Sequence, residues 1–251
     1  MLSQNPPAFY HEVLPQESSI IQSRLEAVEA RMANALARAH RQRSEITLVA
    51  VSKKFSADHI REAYQAGLRE FGENYVQEFA EKHSLLGDLS DARFHLIGHL
   101  QTNKARVAAE LFQIIETADS PKLLQRLDAA VAGRAARLEV LLEIKLSDED
   151  NKSGASPDDI PRLLETAAAC SHLQVSGLMA MPPWSENPEQ SRPYFKRLFA
   201  LASQHNLPQL SMGMSNDLEA AIEEGATIIR VGTALFGARP KPGANPSTSP
   251  A

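Results

Sequence analysis

Between residues 47 and 231 the chain repeats one pattern eight times: a short apolar run, followed in every case but the last by a helical pattern. No other feature restricts the fold as tightly. Runs of this length, rich in Val, Ile and Leu and bounded by Gly, Pro, Ser or Asn, read as strands buried on both faces. They are predicted at 47–52, 70–72, 93–97, 112–116, 138–145, 175–181, 209–212 and 227–231. Three- and four-residue apolar spacing predicts the intervening helices over 57–66, 76–86, 102–109, from Ser120-Pro121, over 156–170, 188–205 and 216–224. Ser56 stands where an N-cap is needed and Gly67 where a helix should stop. Regular alternation of strand and helix makes the strands parallel, and eight repeats without a long insertion favour closure as a TIM-type (β/α)8 barrel over a doubly wound open sheet. A longer helix over 18–43, with Ile20, Ile21, Leu25, Val28, Met32, Leu36 and Ala39 on one stripe, precedes the first strand and is expected to fill the groove left by the absent eighth helix. The expected organisation is one α/β barrel domain over 18–239, with a flexible arm at 1–17 and a disordered Pro-, Gly- and Ser-rich tail at 240–251.

Composition removes several functional classes. The 26 Lys and Arg against 31 Asp and Glu give a net charge of −5, and no long basic run occurs. That balance argues against nucleic acid and against a membrane surface as partners. Cys170 is the one cysteine, which excludes an intramolecular disulfide and a thiolate metal site. The first residues carry neither the basic start nor the apolar core of a signal peptide, and no run approaches the ~18 apolar residues of a membrane span. A soluble, cytoplasmic protein is expected. No HExxH, zinc-type spacing or GxSxG is found, so metal-dependent and serine hydrolysis lack support.

Barrel chemistry sits at the carboxyl ends of strands. Those ends carry Lys53, Glu73 and Asn74, His99 and Gln101, Lys145 and Asn151, Met179 and Met181, Ser215, and Gly232 with Thr233. Lys53 closes an apolar β-branched run, where an ammonium is either carried out to solvent or pushed towards a reactive neutral amine. The loops after the last two strands, SMGMSND and RVGT, occupy the place where barrels often build phosphate sites, although Ser215 can also be a plain N-cap and Gly232 a turn residue. Together, opposite a strand-end lysine, they favour a phosphorylated ligand bearing a carbonyl. Arg230 lies inside the last strand and must meet an acceptor, either Glu116 or Glu143 in a structural ion pair, or a ligand. His95 reads as a core histidine and His99 as a rim residue, while the proline-rich loop at Trp184 is placed to cover the pocket.

The segments LVAVSKK, FGENYVQE, FHLIGHLQTNK, KSG, GLMAM, LSMGMSND and IRVGTALFG occur in order, and over residues 48–239 the chain resembles the pyridoxal 5′-phosphate homeostasis proteins, the YggS/PROSC family. The resemblance implies an alanine-racemase-like barrel carrying pyridoxal phosphate as a Schiff base on Lys53 rather than Lys54, which strand alternation should turn away. It further implies Asn74 beside the cofactor ring, Ser215, Gly232 and Thr233 at the phosphate, and Arg230 facing the pyridine nitrogen. An arginine there keeps the ring neutral and makes the cofactor a weaker electron sink. The chain departs from the family at Phe55-Ser56 and at Asn216-Asp217. The implied function is intracellular cofactor homeostasis without classical turnover, with no catalytic or metal-binding residue and with pyridoxal-phosphate-dependent apo-enzymes as partners. A racemase is the first rival; it would need a tyrosine base from a further domain, for which Tyr75 is the nearest substitute. A Schiff-base aldolase using Lys145 is the second. Without a dimer-forming domain, a monomer is expected.

Overall fold

A computed structural model describes residues 19–147 and 153–238; the arm and tail expected at the two ends, and Asn151, lie outside them. Eight parallel strands close on themselves in sequence order. They are β1 (Thr47–Val51), β2 (Glu70–Glu73), β3 (Arg93–Leu96), β4 (Ile114–Ala118), β5 (Leu138–Glu143), β6 (Leu173–Met179), β7 (Gln209–Met214) and β8 (Ile228–Val231). Closure is made by β1 against β8, with Val49 opposite Arg230. The helices are α1 (Ile20–Ala39), α2 (Ala57–Gln65), α3 (Val76–His83), α4 (Ala105–Leu111), α5 (Pro121–Ala130), α6 (Ile160–Ala168), α7 (Arg192–Gln204), α8 (Leu218–Glu223) and α9 (Thr233–Phe236).

The (β/α)8 barrel and the order of its elements agree with the sequence. Several boundaries differ by a few residues, three of them for a clear local reason. The fourth strand begins at Ile114 instead of Phe112, because the Phe112 N–H bonds back to the Ala108 carbonyl and finishes α4. The sixth begins at Leu173, which pairs with Leu138, and has ended before Pro182-Pro183. The helix after β7 starts at Leu218, since Asp217 folds back and its carboxylate accepts the Met214 N–H at 2.7 Å. Ser56 occupies its cap position, but its hydroxyl pairs with His59 Nδ1 at 2.9 Å rather than with a backbone N–H.

The last strand does have a helix after it, the single turn α9, which the sequence reading left out. One turn covers little of the barrel wall. The amphipathic α1 covers the rest, burying Ile21, Leu25, Val28, Met32 and Leu36 while it packs on α8, α9 and α2. Its outer edge is tied to α8 by Arg31–Glu219 and Arg38–Glu223, each at 2.6 Å. Burying five such side chains contributes on the order of 10 kcal/mol at ~2 kcal/mol each.

Alternation along each strand sends successive side chains to two different places. Leu48, Ala50, Phe94, Leu96, Ile115, Ile229 and Val231 face the helices and belong to one continuous apolar layer. Val49, Ile114, Leu141, Met179 and Ile228 form a separate small cluster inside the barrel. Among the described residues, no helix is long and apolar enough to cross a membrane.

Candidate functional site

A cavity of about 570 Å³ opens at the carboxyl ends of the strands. It is lined by Val51, Lys53, Asn74, Ile97, Met181, Trp184, Met214, Ser215, Asn216, Arg230, Gly232, Thr233 and Ala234. All six residues expected at a cofactor site, namely Lys53, Asn74, Ser215, Arg230, Gly232 and Thr233, therefore meet in one place. His99 and Lys145 are not among the lining residues, and His99 Nδ1 lies 3.7 Å from Asp119 instead. Trp184 lines the mouth, as its loop position suggested, and remains 73% exposed.

Lys53 and Lys54 separate by a route other than strand alternation. The strand has ended at Val51, and Ser52 to Phe55 form a turn in which the Phe55 N–H bonds to the Ser52 carbonyl at 3.0 Å. Lys53 lines the cavity, whereas Lys54 is exposed with φ +66°. A left-handed backbone at a non-glycine residue costs on the order of 1 kcal/mol, so the surroundings must hold this turn.

Across the cavity, a register shift between β7 and β8, from Ser211 to Met214, carries the following loop to the rim. Gly213 adopts φ +90° within it, and a Cβ there would run into the Ala221 side chain. The Ser215 hydroxyl accepts the Ala234 N–H at 3.3 Å and so joins this loop to the start of α9. Asn216 Nδ2 donates to the Ser185 carbonyl at 2.9 Å and ties down the Trp184 loop. On the other wall the Asn74 side-chain oxygen is buried and has no partner. Gly98 keeps its backbone in place, because a Cβ on Gly98 would lie 2.7 Å from the Asn74 Cα.

The floor is Arg230, only 3% exposed. Its guanidinium donates to the Ala180 carbonyl at 3.0 Å and to the Ser211 hydroxyl, and one nitrogen lies 3.9 Å from Glu116. Of the two acceptors proposed from sequence, Glu116 is the one within ion-pair distance. The contact continues down the barrel axis as a chain that sequence reading missed. Ser211 donates to Glu116, His95 Nδ1 donates to Glu116 at 2.6 Å, and His95 Nε2 donates to Glu70 at 2.8 Å. Glu70 then pairs with Arg93 at the amino-terminal end.

Burial alone would drive the His95 imidazole neutral, but its bonds to Glu116 and Glu70 outweigh burial and raise its pKa to about 9. Burial likewise opposes the Glu116 carboxylate, yet His95, Arg230 and Ser211 hold its pKa below the ordinary value. His95 is thus a satisfied core histidine, as expected, but a charged one. Burial also lowers the Arg230 pKa, although a guanidinium keeps its proton in proteins. Glu143, 2% exposed at the end of β5 with one oxygen unpartnered, is pushed up to about 7 by burial and by Asp119, against the pull of Arg230.

The site has one amine, one fixed guanidinium, and hydroxyl and amide groups on opposite walls. Such a parallel barrel, with its cavity at the strand ends, belongs to the class of small-molecule-binding (β/α)8 proteins. The family model described as "Alanine racemase, N-terminal domain" matches residues 24–240. The chain is 44% identical over 223 residues to the pyridoxal phosphate homeostasis protein of Pseudomonas aeruginosa, covering 88% of this chain and 96% of that one. A solved structure of PipY from Synechococcus elongatus with pyridoxal phosphate bound is 38% identical, with a TM-score of 0.76 over 86% of this chain and 100% of that one. Alanine racemase from Corynebacterium glutamicum, 18% identical, has a TM-score of 0.59 over 90% of this chain and 64% of that one, a likeness of fold alone. The chain belongs to the alanine racemase N-terminal domain family and, within it, to the pyridoxal phosphate homeostasis proteins.

Proposed function

We propose that this chain binds pyridoxal 5′-phosphate as a Schiff base on Lys53, limits the free aldehyde in the cytoplasm, and exchanges the cofactor with apo-enzymes without turnover of its own. One observation carries the reading. Lys53 and the Ser215, Gly232 and Thr233 group line the same cavity with a buried Arg230, the set of groups that a ligand carrying both an aldehyde and a phosphate would use. The groups present fit the cofactor. The unpartnered Asn74 oxygen offers an acceptor beside the ring, and the two hydroxyls suit phosphate oxygens. When bound, the cofactor supplies a reactive carbonyl and an electron-withdrawing ring.

Arg230 limits that second property, because a guanidinium at the ring nitrogen cannot pass it a proton. Among the described residues lining the cavity, only Lys53 and Arg230 are ionisable. Tyr75, the expected substitute base, is not among them and is 49% exposed. The name of the P. aeruginosa relative and the bound ligand of PipY point the same way.

The test is an absorbance spectrum of the protein before and after borohydride, followed by peptide mass mapping. A visible imine band removed by reduction, with the cofactor's mass on Lys53 and lost in Lys53→Ala, is the expected result. A colourless protein that cannot be reconstituted would overturn the reading. Sedimentation at a monomer's mass is expected, and a stable dimer would contradict that part.

A further inference from the structure

The layer between strands and helices is mostly apolar, and a charged exception sits against the turn that carries Lys53. Lys82, on α3, is 7% exposed and Glu73, at the end of β2, is fully buried. The Lys82 ammonium donates to Glu73 at 2.6 Å and to the Ser52 carbonyl at 3.2 Å, and lies 2.8 Å from Glu78. Glu73 also accepts the Ser52 hydroxyl at 2.8 Å, and Glu78 accepts the Lys54 N–H at 2.6 Å. Burial pushes the Glu73 carboxyl up, and Lys82 and Ser52 oppose it.

Buried ion pairs are a weak source of stability, and apolar side chains of similar volume fill such space as well or better. Here Lys82 and Glu73 both bond to residue 52 and Glu78 bonds to residue 54, the two neighbours of Lys53, while the second Glu73 oxygen is buried without a partner. The grip also explains how Lys54, φ +66°, is kept in a conformation it would not choose alone. We propose that Lys82, with Glu73 and Glu78, is a positioning device for Lys53, fixing the turn so that the Lys53 amine and not that of Lys54 faces the cavity. Its functional consequence rests on the reading of Lys53 as the point of cofactor attachment; the geometry it claims does not.

Two readouts on the full chain test it, using Lys82→Met, Lys82→Arg and Glu78→Gln, with folding followed by circular dichroism. The first uses no cofactor: trace acetylation by acetic anhydride, with the Lys53 to Lys54 ratio read by tandem mass spectrometry. The ratio should shift about threefold or more in Lys82→Met and Glu78→Gln and return towards native in Lys82→Arg, because small displacements of a reacting group change its rate steeply. The second adds pyridoxal phosphate and borohydride. Label confined to Lys53 in the native chain should divide between Lys53 and Lys54 in the two disrupted variants and form about tenfold more slowly. Folded variants that melt lower but keep the native acetylation ratio and label position would overturn the proposal, since a merely structural pair would do no more than that. If Lys82→Met does not fold, Glu78→Gln, whose side chain is 29% exposed, decides alone. Failure of the native chain to take any label would count against the cofactor reading, while the acetylation ratio would still judge the clamp.

Discussion

The inside of the barrel and the layer outside its wall are built from the same strands and could hardly differ more. Outside, Phe94, Leu96, Ile115, Ile229 and Val231 meet the helices in a continuous apolar core. Inside, their immediate neighbours His95, Glu116 and Arg230 form a column of charge, with only a small apolar cluster beside it. The outer layer is a solvent-transfer problem, solved by area and packing. The inner column must satisfy every donor and acceptor at once, and it does so by alternating cations and carboxylates from the floor of the cavity to Glu70 and Arg93. Stability is drawn mainly from the first region, and the charge presented to a ligand is set by the second.

Four measurements bear on that contrast. The largest effect is expected from truncation in either region, with different functional consequences. Phe195→Ala, fully buried on α7, should cost about 3–5 kcal/mol in urea unfolding and leave borohydride-trapped cofactor on Lys53 unchanged. Glu116→Ala should cost a similar ~3–5 kcal/mol, because it leaves His95 and Arg230 as buried cations, and it should also alter the absorbance of the bound cofactor. Equal cofactor behaviour in the two variants would erase the distinction between the two regions.

Next comes pH. The folded His95 pKa of about 9 lies above the ~6.5 of an unfolded histidine, so its contribution is fully present below about pH 6.5 and is lost as pH rises through 9. The loss should be on the order of 3 kcal/mol and should be absent in His95→Asn, as read from urea midpoints across that range. Glu143 has the opposite chemistry and the same sign. Its carboxyl, raised to about 7, stabilises the fold in its protonated form, and that contribution disappears as pH rises from about 4.5 through 7. Glu143→Gln should therefore gain about 2–3 kcal/mol at pH 8 and almost nothing at pH 4.5. The smallest effect belongs to the surface. Arg31→Ala breaks a paired contact to Glu219 at 2.6 and 2.7 Å, but with both side chains about one-third exposed it should cost no more than about 1 kcal/mol.

Much of the barrel was legible because strand and helix periodicity is local. Eight apolar runs and their helical spacers predict a parallel closed sheet before any contact is known. Lys53, Ser215 and Gly232 were legible for the same reason: strand ends can be counted, and a barrel gathers them at one rim. The β7–β8 register shift was not, because it is set by how two strands pair across the helix between them, and the one-turn α9 is too short for an apolar period to mark it. Lys82 was hidden more completely. Beside Glu78 at four-residue spacing it reads as an ordinary solvated helix pair, and nothing local says that this face turns inward behind Ser52.

Sequence by itself determined the architecture and the likeness to the cofactor-homeostasis proteins, and it carried the expectation, from family resemblance, that Lys53 is the attachment lysine. Periodicity and motif order do not depend on where a side chain finally points. Tertiary structure alone decided which charges became partners: Arg230 with Ser211 and Glu116, His95 with two carboxylates, and Lys82 with the turn on either side of Lys53. Those pairings join residues up to 114 positions apart, from Glu116 to Arg230. They form only when closure of the barrel removes water and makes each buried charge find its complement.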